Sequence, residues 1–196
     1  MILPIIAYGA NVLKTKAVNI TSDFPELKRL IDNMWETMYN ANGVGIAAPQ
    51  IGKSIRLFVV DAAPFSKDDE ISDDEISTLK DFKKVFINPI MIEETGREWD
   101  FKEGCLSIPN IKEDITRKEK ITIKYYDESF NEIELTLEGL AARIVQHEYD
   151  HIEGVLFTDK LSSLKKKLIR GKLNDISNGK IKTEYKMRHP QGKIKR

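Results

Sequence analysis

Two of the chain's three histidines stand four residues apart, in the run Gln146-His147-Glu148-Tyr149-Asp150-His151. On a helix, positions i and i+4 share a face one turn apart, so both imidazoles converge on one point. Leu140, Ile144, His147 and His151 fall on a single stripe, which turns the two rings inward with the apolar side chains. An inward imidazole needs a polar partner or a metal. The fold must therefore bury this helix and still present something for the ring nitrogens to meet. If that something is a divalent cation, Glu148 lies beside it, placed to take a proton from an attacking water.

A catalytic metal site usually takes three protein ligands and leaves one position open. The single cysteine, Cys105 in Glu103-Gly104-Cys105-Leu106-Ser107, has no partner for an internal disulfide. It is a buried thiol or the third ligand. Taken singly, each feature has a plain reading, a histidine pair on a solvated helix face and a small buried hydrophobe. Their coincidence with an inward-facing stripe favours a shared cation.

A third segment, Gly43-Val44-Gly45-Ile46-Ala47-Ala48-Pro49-Gln50, links an amphipathic helix to the strand-like run Ile55–Val60. Its glycines permit close backbone approach, so Gly43 and Gly45 could pair edge-on with an extended peptide, although ordinary turn glycines fit the same pattern. In order along the chain, Gly-x-Gly-x-Ala-Ala-Pro-Gln, Glu-Gly-Cys-Leu-Ser and Gln-His-Glu-x-Asp-His closely resemble the three signature motifs of the peptide deformylases. The similarity runs from about Ile6 to Leu161.

That resemblance implies a metal-dependent hydrolase that removes the N-formyl group from the formylmethionine end of new polypeptides and releases formate. It implies Cys105, His147 and His151 as metal ligands and Glu148 as the catalytic base. By matching position it also implies the Gln50 side-chain amide and the Leu106 backbone N–H as oxyanion donors. Gly43, Val44, Gly45 and Gly104 are expected to meet the substrate, with Val44, Leu140 and Ile144 walling a pocket for the methionine side chain and Arg143 adding its stem. Ligand affinity alone favours zinc over ferrous iron. The resemblance instead favours Fe²⁺ in cells, with zinc, nickel or cobalt as alternative occupants of purified protein.

At 196 residues and 41% hydrophobic content the chain can bury a core as one domain. Lys+Arg and Asp+Glu both total 31, so no net field argues for nucleic acid, and no sequence-specific nucleic-acid binding is expected. The charge is uneven, however. From Leu161 onward twelve Lys or Arg residues face only Asp175 and Glu184. We therefore expect a single catalytic domain over 1–176 and a basic, solvated tail over 177–196, whose charge suits ribosomal RNA near emerging chains. The start lacks a basic region ahead of its apolar residues, and no stretch approaches the roughly 20 apolar residues of a membrane span. With one cysteine, the expected compartment is the cytoplasm, whose reducing conditions also suit a thiolate ligand.

Periodicity predicts a helix over Thr21–Asn42 with Asp23 as N-cap, and strands at Ile55–Asp61, Val85–Glu93, Ile121–Tyr126 and Ile133–Leu137. The histidine helix should span about 138–152, stopped by Gly154. A last helix over Asp159–Asp175 should use Leu161, Leu164, Leu168 and Ile169 as its apolar face. Residues 62–84 read as an acidic insertion absent from shorter members of the family. The expected class is α+β, with antiparallel or mixed sheets packed around a central metal-binding helix and further N- and C-terminal helices.

Two rivals deserve weight. His-Glu-x-x-His also marks zinc endopeptidases, but Phe157 stands where the longer metzincin motif needs its third histidine, Glu153 is too close, and Glu184 lies in the basic tail. A purely structural metal site would need a fourth protein ligand, and the remaining histidine, His189, is far along the chain.

Overall fold

A computed structural model of the chain describes residues 1–67, 73–190 and, in backbone, 194–195. Its main layer is a five-stranded antiparallel sheet in the order β2 (Gly45–Ala47), β3 (Leu57–Asp61), β4 (Lys83–Cys105), β5 (Ile108–Tyr126), β6 (Glu132–Glu138). Both faces of the sheet are covered. Along β3, Leu57 and Val59 join Ile31, Met34 and Met38 of α1 (Leu27–Asn40), whereas Phe58 and Val60 join Leu140, Ala141, Ile144 and Val145 of α3 (Gly139–Ile152). Successive strand side chains point to opposite faces, so a strand buried on both reads as the uninterrupted apolar run seen here.

Helix α3 is central. Leu140 to Gln146 are all buried, as expected of a helix packed on every side. Its last turn closes through Gly154 (φ +74°), with the Val155 N–H donating to the Asp150 carbonyl at 2.9 Å. A third apolar cluster lies against the outer part of β5 and unites Ile108, Ile111, Leu156, Phe157 and the buried face of α4 (Ser163–Ser177). This is the α+β architecture the sequence predicts.

The differences from expectation have local causes. Helix α1 starts at Leu27, not near Asp23, because the Thr21 hydroxyl donates to the Asp23 carboxylate and the Phe24 N–H closes a turn onto the Thr21 carbonyl. Pro25 disfavours helical backbone at Phe24. Strands β4 and β5 run 23 and 19 residues, far beyond their apolar ends, and their middles are laced by exposed pairs such as Arg97–Glu119 and Lys118–Glu98. Helix α4 starts at Ser163, capped by the Ser162 hydroxyl, and buries Ile169, Leu173 and Ile176. Leu164 and Leu168, expected on its apolar face, are instead 68% and 73% exposed.

Two segments expected to be peripheral are built into the fold. Of the insertion over 62–84, residues 68–72 lie outside those described, but α2 (Asp73–Lys80) carries the buried Leu79 and ends near the buried Phe82. The Glu75 carboxylate accepts from the Leu140 N–H at 2.7 Å, supplying the first turn of α3 with a cap that Glu138 does not provide. The C-terminal end, expected to be solvated, is not so at Met187 and His189, which are 1% and 4% exposed. There β7 (Met187–Arg188) runs parallel to β1 (Ile5–Ile6) and antiparallel to β8 (Ile194–Lys195). Residues 191–193 and 196 of the predicted tail lie outside those described.

Removing a capping acceptor from a helix N-terminus costs about 1 kcal/mol. Glu75→Ala should lower stability by about that amount in chemical denaturation, and an unchanged midpoint would show that α3 does not depend on this cap.

Candidate metal centre

The end of β4 meets the last two turns of α3. There Cys105 Sγ, one nitrogen of His147 and one of His151 lie within 4.8 Å of one another, and no fourth Asp, Glu, Cys or His joins the group among the described residues. Cys105 Sγ is 3.2 Å from His151 Nε2. Helical spacing stacks the two imidazoles edge to face at 5.0 Å, and Phe157 lies over the outer side of His147 at 6.2 Å. A thiolate and two imidazoles converging this closely suit a divalent metal, and the missing fourth ligand matches an open catalytic position.

One carboxylate organises the site from behind. Glu103, two residues before Cys105 and so on the same face of β4, accepts from His147 Nδ1 at 2.9 Å, from Arg117 Nε and Nη2 at 2.7 and 2.9 Å, and from Arg143 Nη1 at 3.1 Å. Burial opposes its charge, but the bonds from Arg117 and His147 outweigh burial and hold Glu103 well below the usual carboxylate range. Arg117 reaches on to Asp150 at 2.7 Å, tying the strand pair to α3 a second time. By accepting from Nδ1, Glu103 leaves His147 Nε2 free to ligate.

The two histidines differ in charge preference. Burial would depress His147, but its bonds to Cys105 and Glu103 raise it instead. Burial, followed by the charges of His147 and Arg117, depresses His151 well below the ordinary imidazole value. A cation ligated here needs the ligating nitrogen of each ring unprotonated, so loading the site is coupled to proton release.

Glu148 projects beside the three donors, 4% exposed, and its Oε2 is buried without a hydrogen-bond partner. Burial pushes its carboxyl up to about 7, with Glu103 adding to the rise and His147 and Arg117 opposing it. An unpartnered buried oxygen is costly, so its persistence next to a ligand cluster marks a place for water or substrate. The glycines of the first motif make room for it. A Cβ on Gly45 would lie 2.5 Å from Glu148 Oε1, and one on Gly43 would lie 2.8 Å from Leu106 Cδ1.

Gln50 is 1% exposed, and its carbonyl accepts from the Ala47 N–H at 2.7 Å. That bond fixes the amide so that Nε2 faces Cys105 Sγ at 3.5 Å and Ser107 Oγ at 3.4 Å. Leu106 follows Cys105 at the turn between β4 and β5. Gly43, Val44, Gly45, Gln50, Cys105, Leu106, His147, Glu148 and His151 therefore gather in one region. Val44, Leu140 and Ile144 share the apolar cluster under Trp99 and Phe101. Arg143 sits apart from that wall at its charged end. Its guanidinium is turned to Glu103, the Ile115 carbonyl at 2.8 Å and the Trp99 carbonyl at 2.7 Å. Gly104 is exposed on β4.

Sequence reasoning gave no role to Glu103, Arg117 or Tyr185, whose hydroxyl donates to the Leu106 carbonyl at 2.8 Å. Glu103 was within reach of the strand rule that puts i and i+2 on one face. Arg117 and Tyr185 were not, because their approach depends on the bend of β4 and β5 and on the path of the C-terminal segment.

Comparison with known proteins agrees with this geometry. Residues 2–167 match the family model of polypeptide deformylase. A peptide deformylase of Christiangramia forsetii is 62% identical over 98% of both chains, and one of Flavobacterium psychrophilum is 56% identical over 96% of this chain and 97% of its own. Among solved structures, a peptide deformylase from Legionella pneumophila superposes with a TM-score of 0.77 at 38% identity, covering 92% of this chain and 98% of that one.

Gly45→Ala should displace the Glu148 carboxylate without touching a metal donor. Turnover is expected to fall at least about tenfold with metal content retained, and full activity in the variant would show that Glu148 need not sit where Gly45 admits it.

Proposed function

Because this chain belongs to the peptide deformylase family, we infer that the Cys105–His147–His151 cluster is the catalytic centre of its activity, removal of the N-formyl group from formylmethionyl polypeptides with release of formate. The observation that carries this assignment is the buried, unpartnered Glu148 oxygen beside three convergent donors that lack a fourth. A divalent metal held by Cys105, His147 and His151 would acidify water and polarise the formyl carbonyl.

The chain's own groups supply the rest. Glu148 takes the proton of the attacking water and returns it to the departing nitrogen, a two-way transfer suited to a carboxyl raised to about 7. The Gln50 amide and the Leu106 N–H donate to the oxygen that gains charge as the carbonyl carbon becomes tetrahedral. The outer edge of β2, at the end of the sheet, pairs with the peptide backbone beside Gly43–Gly45, and Gly104, next to Cys105 at the end of β4, meets the substrate from the metal side. The methionine side chain enters between Val44, Leu140 and Ile144, and Arg143 contributes only its aliphatic stem because Glu103 holds its head.

Fe²⁺ is the metal proposed in cells, on the strength of the resemblance, with zinc, nickel and cobalt compatible with the same donors. Among the described residues no helix is long and apolar enough to cross a membrane, and the thiolate ligand favours a reducing cytoplasm. The exposed Lys180, Lys182 and Lys186 of the C-terminal end suit contact with ribosomal RNA beside the emerging substrate. Replacing these three with Gln should weaken ribosome co-sedimentation and flatten its salt dependence, and binding identical to the parent would remove the basic end from that role.

An endopeptidase reading finds no support in the site. Phe157 is 1% exposed and stacks on His147, filling the place where that class needs a ligand. On an N-formylmethionyl peptide the protein should release formate and leave internal bonds intact. Glu148→Gln should keep its metal while losing at least about 10²-fold in formate release. Retained turnover would exclude Glu148 as the base, and cleavage of unformylated peptides would contradict the assigned reaction.

A further inference from the structure

The turn that presents the Leu106 N–H is not self-supporting. Cys105 pairs with Ile108, so Leu106 and Ser107 alone reverse the chain between β4 and β5. Two-residue connections of this kind favour backbone with positive φ, usually glycine or asparagine, because that twist matches the strands. Neither Leu106 nor Ser107 has positive φ. The turn is instead held from outside. The Tyr8 N–H donates to the Ser107 carbonyl at 2.9 Å, Gln50 Nε2 donates to Ser107 Oγ at 3.4 Å, and the Tyr185 hydroxyl donates to the Leu106 carbonyl at 2.8 Å.

Of these three, only Tyr185 bonds to Leu106 itself. It comes from a segment beyond the family match, which ends at residue 167. That segment is anchored on both sides of the tyrosine. The Thr183 hydroxyl donates to the Tyr185 carbonyl at 2.7 Å, and the Ile5 N–H donates to the Lys186 carbonyl at 2.9 Å just before the buried Met187 pairs with β1. The Tyr185 ring packs between the α1 and α4 apolar clusters, so the hydroxyl is delivered from a fixed base. Burial, followed by the charge of Cys105, pushes this hydroxyl above the usual phenol range, so it acts as a donor.

We propose that Tyr185 is a positioning residue for the reaction, its hydroxyl holding the Leu106 carbonyl and so fixing the two-residue turn from which the Leu106 N–H is aimed at the developing oxyanion. The inference rests on the assignment of that N–H as a donor. The C-terminal segment is then a strap across the catalytic turn, in addition to any surface role of its charges. Fixing that carbonyl fixes the peptide plane that follows Leu106 and so limits the φ and ψ rotations that would tilt the preceding plane with its N–H, and small misplacements of such donors are expensive in rate.

The test is Tyr185→Phe in the full-length, metal-loaded protein, assayed for formate release from an N-formylmethionyl tripeptide. Ring packing is kept and one bond is lost. The expected result is a fall in kcat of about tenfold with KM within about twofold of the parent, equal at every pH tested, and with metal content and thermal midpoint unchanged. Parental kcat, or a loss that appears only as a lower midpoint, overturns the proposal. Leu106→Pro, measured alongside, deletes the N–H at a position whose φ lies outside the left-handed region. If Leu106→Pro is inactive and Tyr185→Phe is fully active, only the positioning role fails. If Leu106→Pro keeps parental activity, the donor assignment fails and takes the inference with it.

Discussion

The buried carboxylate of Glu103 is the hinge of the structure. It joins β4 to α3 by meeting His147, Arg117 and Arg143 at once, and these are the elements that carry the sulfur and the two imidazoles. Taking a carboxylate and two guanidinium groups out of water is expensive, and such a cluster seldom stabilises a fold more than apolar packing would. Its value lies in orientation. With every oxygen of Glu103 engaged, His147 has one direction in which to point, and the strand bearing Cys105 has one depth at which to lie against the helix. Removing one partner from such a cluster typically costs about 3–5 kcal/mol, because the remaining charges stay buried.

The sheet makes this precision affordable. Both of its faces are packed, by α1 on one side and α3 on the other, so β3 and the start of β4 cannot slip without exposing an entire apolar set. On that frame β2 sits at an edge with Gly45 against Glu148, and the bent β4–β5 ribbon reaches across to bring Cys105 to the helix. The reactive groups are thus held by three elements from distant parts of the chain. A short edge strand, a two-stranded ribbon and a 14-residue helix are each marginal alone in water, so all three depend on packing.

Much of this was legible before any coordinates. The four-residue spacing of His147 and His151, their shared stripe with Leu140 and Ile144, and the lone Cys105 pointed to one inward-facing cluster, and helix α3 lies within a residue of its predicted start. Apart from Glu103, what escaped notice had little local signal. The middle of β4 is polar and exposed, and the facing stretch of β5 is mostly charged, so no apolar alternation marked them as strand. Asp23 looked like a helix cap because the side chain that actually claims it, Thr21, competes over only two residues. The cap on α3 comes from Glu75, 65 residues away, and the brace on Leu106 from Tyr185, 79 residues away. Contacts of that separation are set by how layers dock, and periodicity carries no record of them.

The convergence of Cys105, His147 and His151 on one cation is tested most directly by X-ray absorption at the metal edge of the anaerobically purified protein. For a zinc-loaded sample, one sulfur at about 2.3 Å and two imidazole nitrogens at about 2.0–2.1 Å, with a single further light atom, is the expected first shell. A shell without sulfur, or one closed by a fourth protein side chain, would contradict it.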